Sequence, residues 1–267
     1  MWFFKRKRKK LGLVLGSGGA RGLAHVGVIK TLLRYEIPIS LVVGSSSGAL
    51  IGGYFASLSE VTSLEKMIQG VTYKDLASVL VDPSWGSGLI KGGKTMDFLR
   101  RYFGEQKIED LKIPFAAVAT DLRTAKKVVF EKGDLATAIR ASISVPLMYE
   151  PVRDNGKILV DGGVSFPVPV EVAKEMGADS VIAVNLDGVY FSGSNRVDGK
   201  SSTIDVLKDS YFALRYNLAQ KEVREAEVVI EPEMKYVVDL DFVQGKKAIL
   251  AGEEATERVI GRIKKLI

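Results

Sequence analysis

Three serines stand between two glycines in Gly44-Ser45-Ser46-Ser47-Gly48, after the apolar run Ile39 to Val43 and before the helix-compatible run Ala49 to Ala56. A strand, a tight turn and a helix in that order form the setting in which a serine hydroxyl is presented as a nucleophile. Glycine is needed at 44 and 48 because a side chain at either position would crowd such a turn. Only Ser46 has glycine two residues away on both sides, so Ser46 is the candidate nucleophile. A serine nucleophile needs a base. The chain has one histidine, His25, and no cysteine, so a Ser-His-Asp arrangement would have to use His25. That residue lies where Leu23, Val26, Ile29 and Leu33 recur at helical spacing, and it reads more simply as a packed or capping residue at a helix start. The base then falls to a carboxylate. Asp161 ends the short apolar run from Lys157 and is followed by Gly162 and Gly163, at the kind of strand end where open α/β sheets place their chemistry. The same residues also describe a plain Asp-Gly turn.

A second glycine-rich loop, Gly16-Ser17-Gly18-Gly19-Ala20-Arg21-Gly22, joins the apolar run Leu11 to Leu15 to the His25 segment. Bare glycines at a helix N-terminus expose backbone N–H groups and the positive end of the helix dipole. That suits either a phosphate or the oxyanion of an acyl-transfer intermediate. The dinucleotide fingerprint would need glycine at position 21, where Arg21 stands, and the Gly-Lys-Ser/Thr of the phosphate loop is absent.

Together these blocks resemble the patatin-like phospholipase family. The likeness covers Gly16 to Gly22, Gly44 to Gly48 and Asp161-Gly162-Gly163, in the family's order and roughly its spacing. It continues through Ala119 to Leu122, Gly133 to Ser142, Val145-Pro146, Pro167 to Val170 and Gly177 to Asp179. The resemblance implies a Ser-Asp dyad that hydrolyses acyl esters without a cofactor or metal. Ser46 matches the nucleophile and Asp161 the base, and Gly18 and Gly19 lie in the loop that supplies oxyanion donors. Gly16, Gly22, Gly44, Gly48, Gly162 and Gly163 complete the motifs. Two positions depart from the common pattern: Ser17 stands where glycine is frequent, and Phe166 stands where asparagine usually precedes the proline. The expected substrate is a lipid or other carboxylic ester. An esterase for soluble short-chain esters is the nearest alternative. An acyltransferase would be expected to carry a histidine partner, and a lipid-binding adaptor would gain nothing from an intact serine, aspartate and glycine loop.

The elements that must position these residues follow from the apolar patterning. Strands are expected at Leu11 to Leu15, Ile39 to Val43, Phe115 to Ala119, Val128 to Phe130, Ile158 to Val160 and Ser180 to Asn185. Helices are expected at Ala20 to Tyr35, Ser47 to Ser57, Glu60 to Ile68, Thr95 to Phe103, Leu135 to Ser142 and Val170 to Met176. A long amphipathic helix is expected over Thr203 to Glu225 and a last one over Ala248 to Ile267. The alternation predicts an α/β fold: a single domain over residues 11–267 whose central, largely parallel sheet carries helices on both faces. Two longer connections, 82–94 and 187–202, read either as gates over the site or as surface links, and 187–202 is polar enough to be disordered.

Of the 267 residues 46% are hydrophobic and 26% charged, the balance of a globular protein with one good core. Without cysteine there is no disulfide or thiolate site, and a single histidine with scattered carboxylates argues against zinc. The net charge of +6 is matched by the run Lys5-Arg6-Lys7-Arg8-Lys9-Lys10, so residues 11–267 are formally neutral. Trp2, Phe3 and Phe4 precede that run. Residues 1–10 thus form a basic and aromatic tail suited to an anionic membrane surface; nucleic acid is not expected as a partner. The segment lacks the apolar core of a signal peptide, and no run reaches the about 18 apolar residues of a membrane span. The expected location is cytoplasmic, peripheral on the inner membrane face.

Overall fold

The computed structural model describes residues 9–58, 82–84, 88–188, 202–234 and 245–267. Its frame is one eight-stranded sheet built from β1 (Leu11–Leu15), β2 (Leu41–Ser45), β3 (Phe115–Asp121), β4 (Lys126–Phe130), β5 (Val152–Asp154), β6 (Lys157–Asp161), β7 (Ser180–Val184) and β8 (Val228–Ile230). The strands β3, β2, β1, β7 and β8 lie side by side and parallel. They read as unbroken apolar runs because both faces of a parallel sheet are covered. In β1, Leu11, Leu13 and Leu15 enter one core while Val14 enters the other, and β2, β3 and β7 alternate in the same way.

One core is closed by α1 (Ala24–Arg34), α2 (Ser47–Leu58), α3 (Gly93–Phe103) and α4 (Leu135–Ser142). The other is closed by α5 (Val170–Glu175) and by the C-terminal half of α6 (Thr203–Glu222), through Ala219 and the following Val223. The last helix, α7 (Gly245–Ile263), packs on α1, where the Gly252 α-carbon meets the backbone of Ala24.

The sheet is antiparallel around the far half of β3, and this places the site. Ala117 and Val118 of β3 pair with β4 on one edge and with β2 on the other. Ala119 to Asp121 pair with the same β4 and with β6. β2 and β6 therefore share one edge of β3. β2 runs up it and stops opposite Val118, and β6 runs down it and stops opposite Ala119. The two C-terminal ends meet head to head, which brings Ser46 and Asp161 together although 115 residues separate them.

Several boundaries differ from the sequence expectation. The segment expected as one helix over Ala20 to Tyr35 begins as a 3-10 turn, Gly19–Leu23, which Gly19 enters with φ of 56°. β2 lies two residues later than its apolar run, since Ile39 and Ser40 lead into the sheet. The short strands β5 and β8 carry too few apolar residues to stand out. Helix α6 is not amphipathic in the expected sense: Ile204, Val206, Leu207 and Leu214 are exposed. The helix expected over Glu60 to Ile68 lies outside the described residues, as do residues 1–8 of the tail and 189–201 of the second long connection. Asp187, expected at the start of a polar surface link, is buried at 2% exposure between two arginines.

Candidate active site

Ser46 leaves β2 with φ of 56°, the left-handed region that a residue with a β-carbon enters at a cost of about 1–3 kcal/mol. Two close approaches around the turn explain its glycines. A β-carbon on Gly44 would lie 2.4 Å from the Gly48 carbonyl oxygen, and one on Gly48 would lie 1.9 Å from the Leu15 oxygen. The Ser46 carbonyl accepts from Ala49 N at 2.9 Å and so opens α2, which leaves the Ser46 side chain at the positive end of that helix.

The Ser46 hydroxyl donates to Asp161 Oδ2 at 2.5 Å. Asp161 Oδ1 accepts from Gly163 N at 2.7 Å, using the turn that the glycine pair permits. Main-chain bonds hold Asp161 on both sides: its N–H donates to the Ser144 carbonyl at 2.9 Å, and its carbonyl accepts from the Thr120 hydroxyl at 3.1 Å. Asp161 is 1% exposed and Ser46 5%. Burial pushes the Asp161 carboxyl up to about 6, against the Ser46 and Gly163 hydrogen bonds and the Arg215 charge, which pull it down. A serine hydroxyl bonded to such a carboxylate can pass its proton across as the oxygen attacks an electrophile.

His25 is not part of this pair. Its Nε2 donates to the Gly16 carbonyl at 2.8 Å, and its Nδ1 has no hydrogen-bond partner among the described residues. Burial depresses its pKa to about 4, so the ring is neutral. It buttresses the glycine loop.

That loop passes beside the turn. Gly16 N donates to Val184 O at 3.1 Å, Ser17 N to Pro167 O at 2.8 Å, and the Ser17 hydroxyl to Ser45 Oγ at 3.0 Å. Gly22 packs against Ser47, and Gly162 against the Val118 carbonyl. The N–H groups of Gly18 and Gly19 have no hydrogen-bond partner among the described residues. The N–H of Ser46 itself is engaged, donating to Ser142 Oγ at 2.9 Å, while that hydroxyl donates to Val118 O at 2.6 Å. Phe166 turns its ring beneath the Lys127 ammonium, 5.7 Å from the ring centroid.

Sequence reasoning missed four side chains here. Ser142, at the end of α4, locks the turn from behind. Arg215, on α6, makes a two-pronged contact with Asp187, from Nε to Oδ2 at 2.8 Å and from Nη2 to Oδ1 at 2.7 Å. Arg21, in the glycine loop, donates to the same carboxylate at 3.0 Å and to the Leu186 carbonyl at 2.8 Å. Burial alone would raise the Asp187 carboxyl, but the charges and hydrogen bonds of the two guanidiniums together outweigh it and hold the group below the usual carboxylate range. No local pattern marks Asp187 as the partner of Arg215, 28 residues on, and of Arg21, 166 residues before it.

Comparison with known proteins agrees with this architecture. A family model described as patatin-like phospholipase matches residues 13–174. An NTE family protein of Mycobacterium tuberculosis is 40% identical over 180 residues, which cover 67% of this chain and 49% of that protein. Patatin-like phospholipase domain-containing protein 6 of Homo sapiens is 34% identical over 182 residues, covering 66% of this chain and 13% of that protein. The chain thus spans about half the length of the mycobacterial relative and a smaller share of the human one. Among solved structures, VipD from Legionella pneumophila shares the fold with a TM-score of 0.59 at 14% identity, over 95% of this chain and 66% of that one. With more than half of its residues matched by the family model, and with the motif residues gathered at the junction of β2 and β6, the chain belongs to the patatin-like phospholipase family.

Proposed function

We propose that this chain is a lipid acyl hydrolase that cleaves carboxylic esters through a Ser46–Asp161 dyad. The observation that supports this reading is the 2.5 Å contact between the Ser46 hydroxyl and a buried carboxylate raised to about 6. An ordinary aspartate is about 2.6 pK units weaker as a base than histidine. Burial closes most of that gap without a histidine. As Ser46 Oγ attacks the ester carbonyl, its proton passes to Asp161 Oδ2 and the carbonyl oxygen becomes an oxyanion. The N–H groups of Gly18 and Gly19 are the donors for that oxyanion in this reading, since the Ser46 N–H is already engaged. Collapse of the intermediate expels the alcohol, which takes the proton back from Asp161 and leaves an acyl-Ser46. Water then gives its proton to Asp161 and attacks the acyl carbon, and the carboxylic acid leaves as the proton returns to Ser46.

Two further parts of the reading rest on sequence and family. The substrate is a lipid ester, and residues 1–10 bring the enzyme to anionic membrane surfaces. Among the described residues no helix is long and apolar enough to cross a membrane. A fluorophosphonate probe is expected to label wild-type protein at Ser46 and to block hydrolysis, and Ser46→Ala to lose both. Product analysis on mixed phospholipids, neutral glycerides and short-chain esters then assigns the substrate. Labelling that survives in Ser46→Ala, or hydrolysis undiminished in it, overturns the dyad. Turnover of short soluble esters alone would replace the lipid substrate.

A further inference from the structure

The glycine loop is pinned at two points with its apex between them. On the N-terminal side Gly16 and Ser17 are tied to Val184 and Pro167 by main-chain bonds, and His25 holds the Gly16 carbonyl. On the C-terminal side the tie is a side chain. Arg21 reaches across to the Leu186 carbonyl and to Asp187, the residues that follow β7. Leu186 also stands against the apex, where a β-carbon on Gly18 would lie 2.4 Å from its Cδ1. Whatever fixes Leu186 and Asp187 therefore fixes Gly18 and Gly19. Arg215 does this from outside the loop. Its planar fork grips both oxygens of Asp187, its guanidinium carbon lies 4.8 Å from the Phe212 ring centroid, and it is 6% exposed.

We propose that Arg215 is a positioning residue for the chemistry at Ser46: acting through Asp187 and Arg21, it holds the apex of the glycine loop where the oxyanion forms. The inference rests on the dyad reading above and adds a residue of α6 to it. A two-pronged guanidinium sets distance and direction together, which a single ammonium does not. Two guanidiniums share one carboxylate here, so removal of Arg215 leaves Arg21 and Asp187 as a matched pair. By contrast, removal of Asp187 would strand two buried cations.

The test uses the full chain with Arg215→Met and Arg215→Lys, and reads fluorophosphonate labelling as a maximal rate and a half-saturating probe concentration. Folded protein is counted by near-ultraviolet circular dichroism. Loss of one oxyanion donor lowers rates by about a hundredfold to a thousandfold, and loosening the donors is expected to lower the maximal labelling rate at least about tenfold in both variants. The half-saturating concentration is expected to change by less than about threefold, because the probe's binding contacts remain. Amide exchange at Gly18 and Gly19 is expected to quicken in parallel. Folded Arg215→Met labelled within about twofold of the wild-type rate overturns the proposal. So does full rescue by Arg215→Lys, which would assign the effect to charge and not to the fork. If Arg215→Met does not fold, Arg215→Lys, which keeps the charge, decides alone by the same limits. Wild-type protein that fails to label overturns the dyad reading and this inference with it, whereas normal wild-type labelling beside unaffected variants overturns this inference only.

Discussion

Asp161 carries two roles that pull in opposite directions. Its burial makes it a stronger base, and the same burial penalises its ionised form in the folded protein. The folded pKa, about 6, lies above the ordinary value of 3.8, so protonation favours the folded state. The penalty is absent below about pH 4, grows as pH rises, and is complete above about pH 6. A shift of about two units corresponds to about 3 kcal/mol. Asp161→Asn is therefore expected to be inactive and more stable than wild type, by up to about 3 kcal/mol at pH 8, with the gap narrowing toward pH 5. Urea denaturation at the two pH values measures it, and a gap that does not narrow would remove burial of charge as its cause. On the proposed dyad the same group would set the acid limb of kcat/KM, which is expected to fall below about pH 6 as Asp161 is protonated. A limb near pH 4 would mean that the carboxyl is not raised. His25→Gln separates the two candidate bases. A general base contributes about a hundredfold to ten-thousandfold, so Asp161→Asn should lose that much while folded His25→Gln keeps most of its turnover. At this scale the pairing of Ser46 with Asp161 was legible: one serine with the right glycine spacing and a lone histidine in a helical pattern direct attention to a carboxylate. The raised pKa was not, because it depends on what surrounds Asp161.

Turning from residues to elements, the site is the place where two strands end against each other on one edge of β3, with α4 and the glycine loop closing around it. The apolar runs reveal β1, β3, β6 and β7 directly, because strands covered on both faces need little polar interruption. They do not reveal direction. Nothing in Lys157 to Asp161 says that β6 runs antiparallel and stops opposite Ala119, yet that register brings the carboxylate to the serine. β5 and β8 escape notice for a related reason, since strands of three residues are too short for a period to show. The support from α4 gives a prediction at this scale. Ser142 satisfies the buried Ser46 N–H and Val118 carbonyl at once. Ser142→Ala leaves both without their partner, which costs about 1–3 kcal/mol per buried group. We expect it to lower the thermal midpoint and to slow labelling of Ser46, whereas Ser142→Thr, which keeps the hydroxyl, should restore much of both. Unchanged stability in Ser142→Ala would mean that another group takes over the bond. The glycine loop responds differently. A β-branched residue at Gly18 collides with Leu186 and displaces the loop apex, so Gly18→Val should depress turnover about a hundredfold or more in protein that still folds. Near-normal turnover there would place the oxyanion donors elsewhere.

Over the whole molecule, Lys10 and the candidate site lie at opposite ends of the parallel strands. The excess of six positive charges equals the run Lys5 to Lys10, and the rest of the chain is formally neutral. Lys10 is tied by its N–H to Asp179 Oδ2 at 2.8 Å, just before β1 enters the sheet. Because β1 and β2 are parallel, Lys10 stands at the end where the strands begin, and Ser46 at the end where they finish. The proposed membrane role of residues 1–10 is testable apart from the chemistry proposed at Ser46. Basic residues near an anionic surface contribute about 1 kcal/mol each, so about 6 kcal/mol is the ceiling for the electrostatic part, reduced by the ordering of the tail. Binding should therefore be reversible and should weaken as salt shortens the Debye length below about 8 Å. Compared with the full chain, protein beginning at Leu11 is expected to lose co-sedimentation with phosphatidylserine vesicles and to show a higher apparent KM on lipid presented in them. On a soluble short-chain ester its kcat and KM should match those of the full chain, since the proposed role of the tail is at the membrane surface. Equal vesicle binding by the two proteins, or binding indifferent to anionic lipid and salt, would assign the attraction to another surface. A fall in kcat on the soluble ester would show that the tail reaches the site after all.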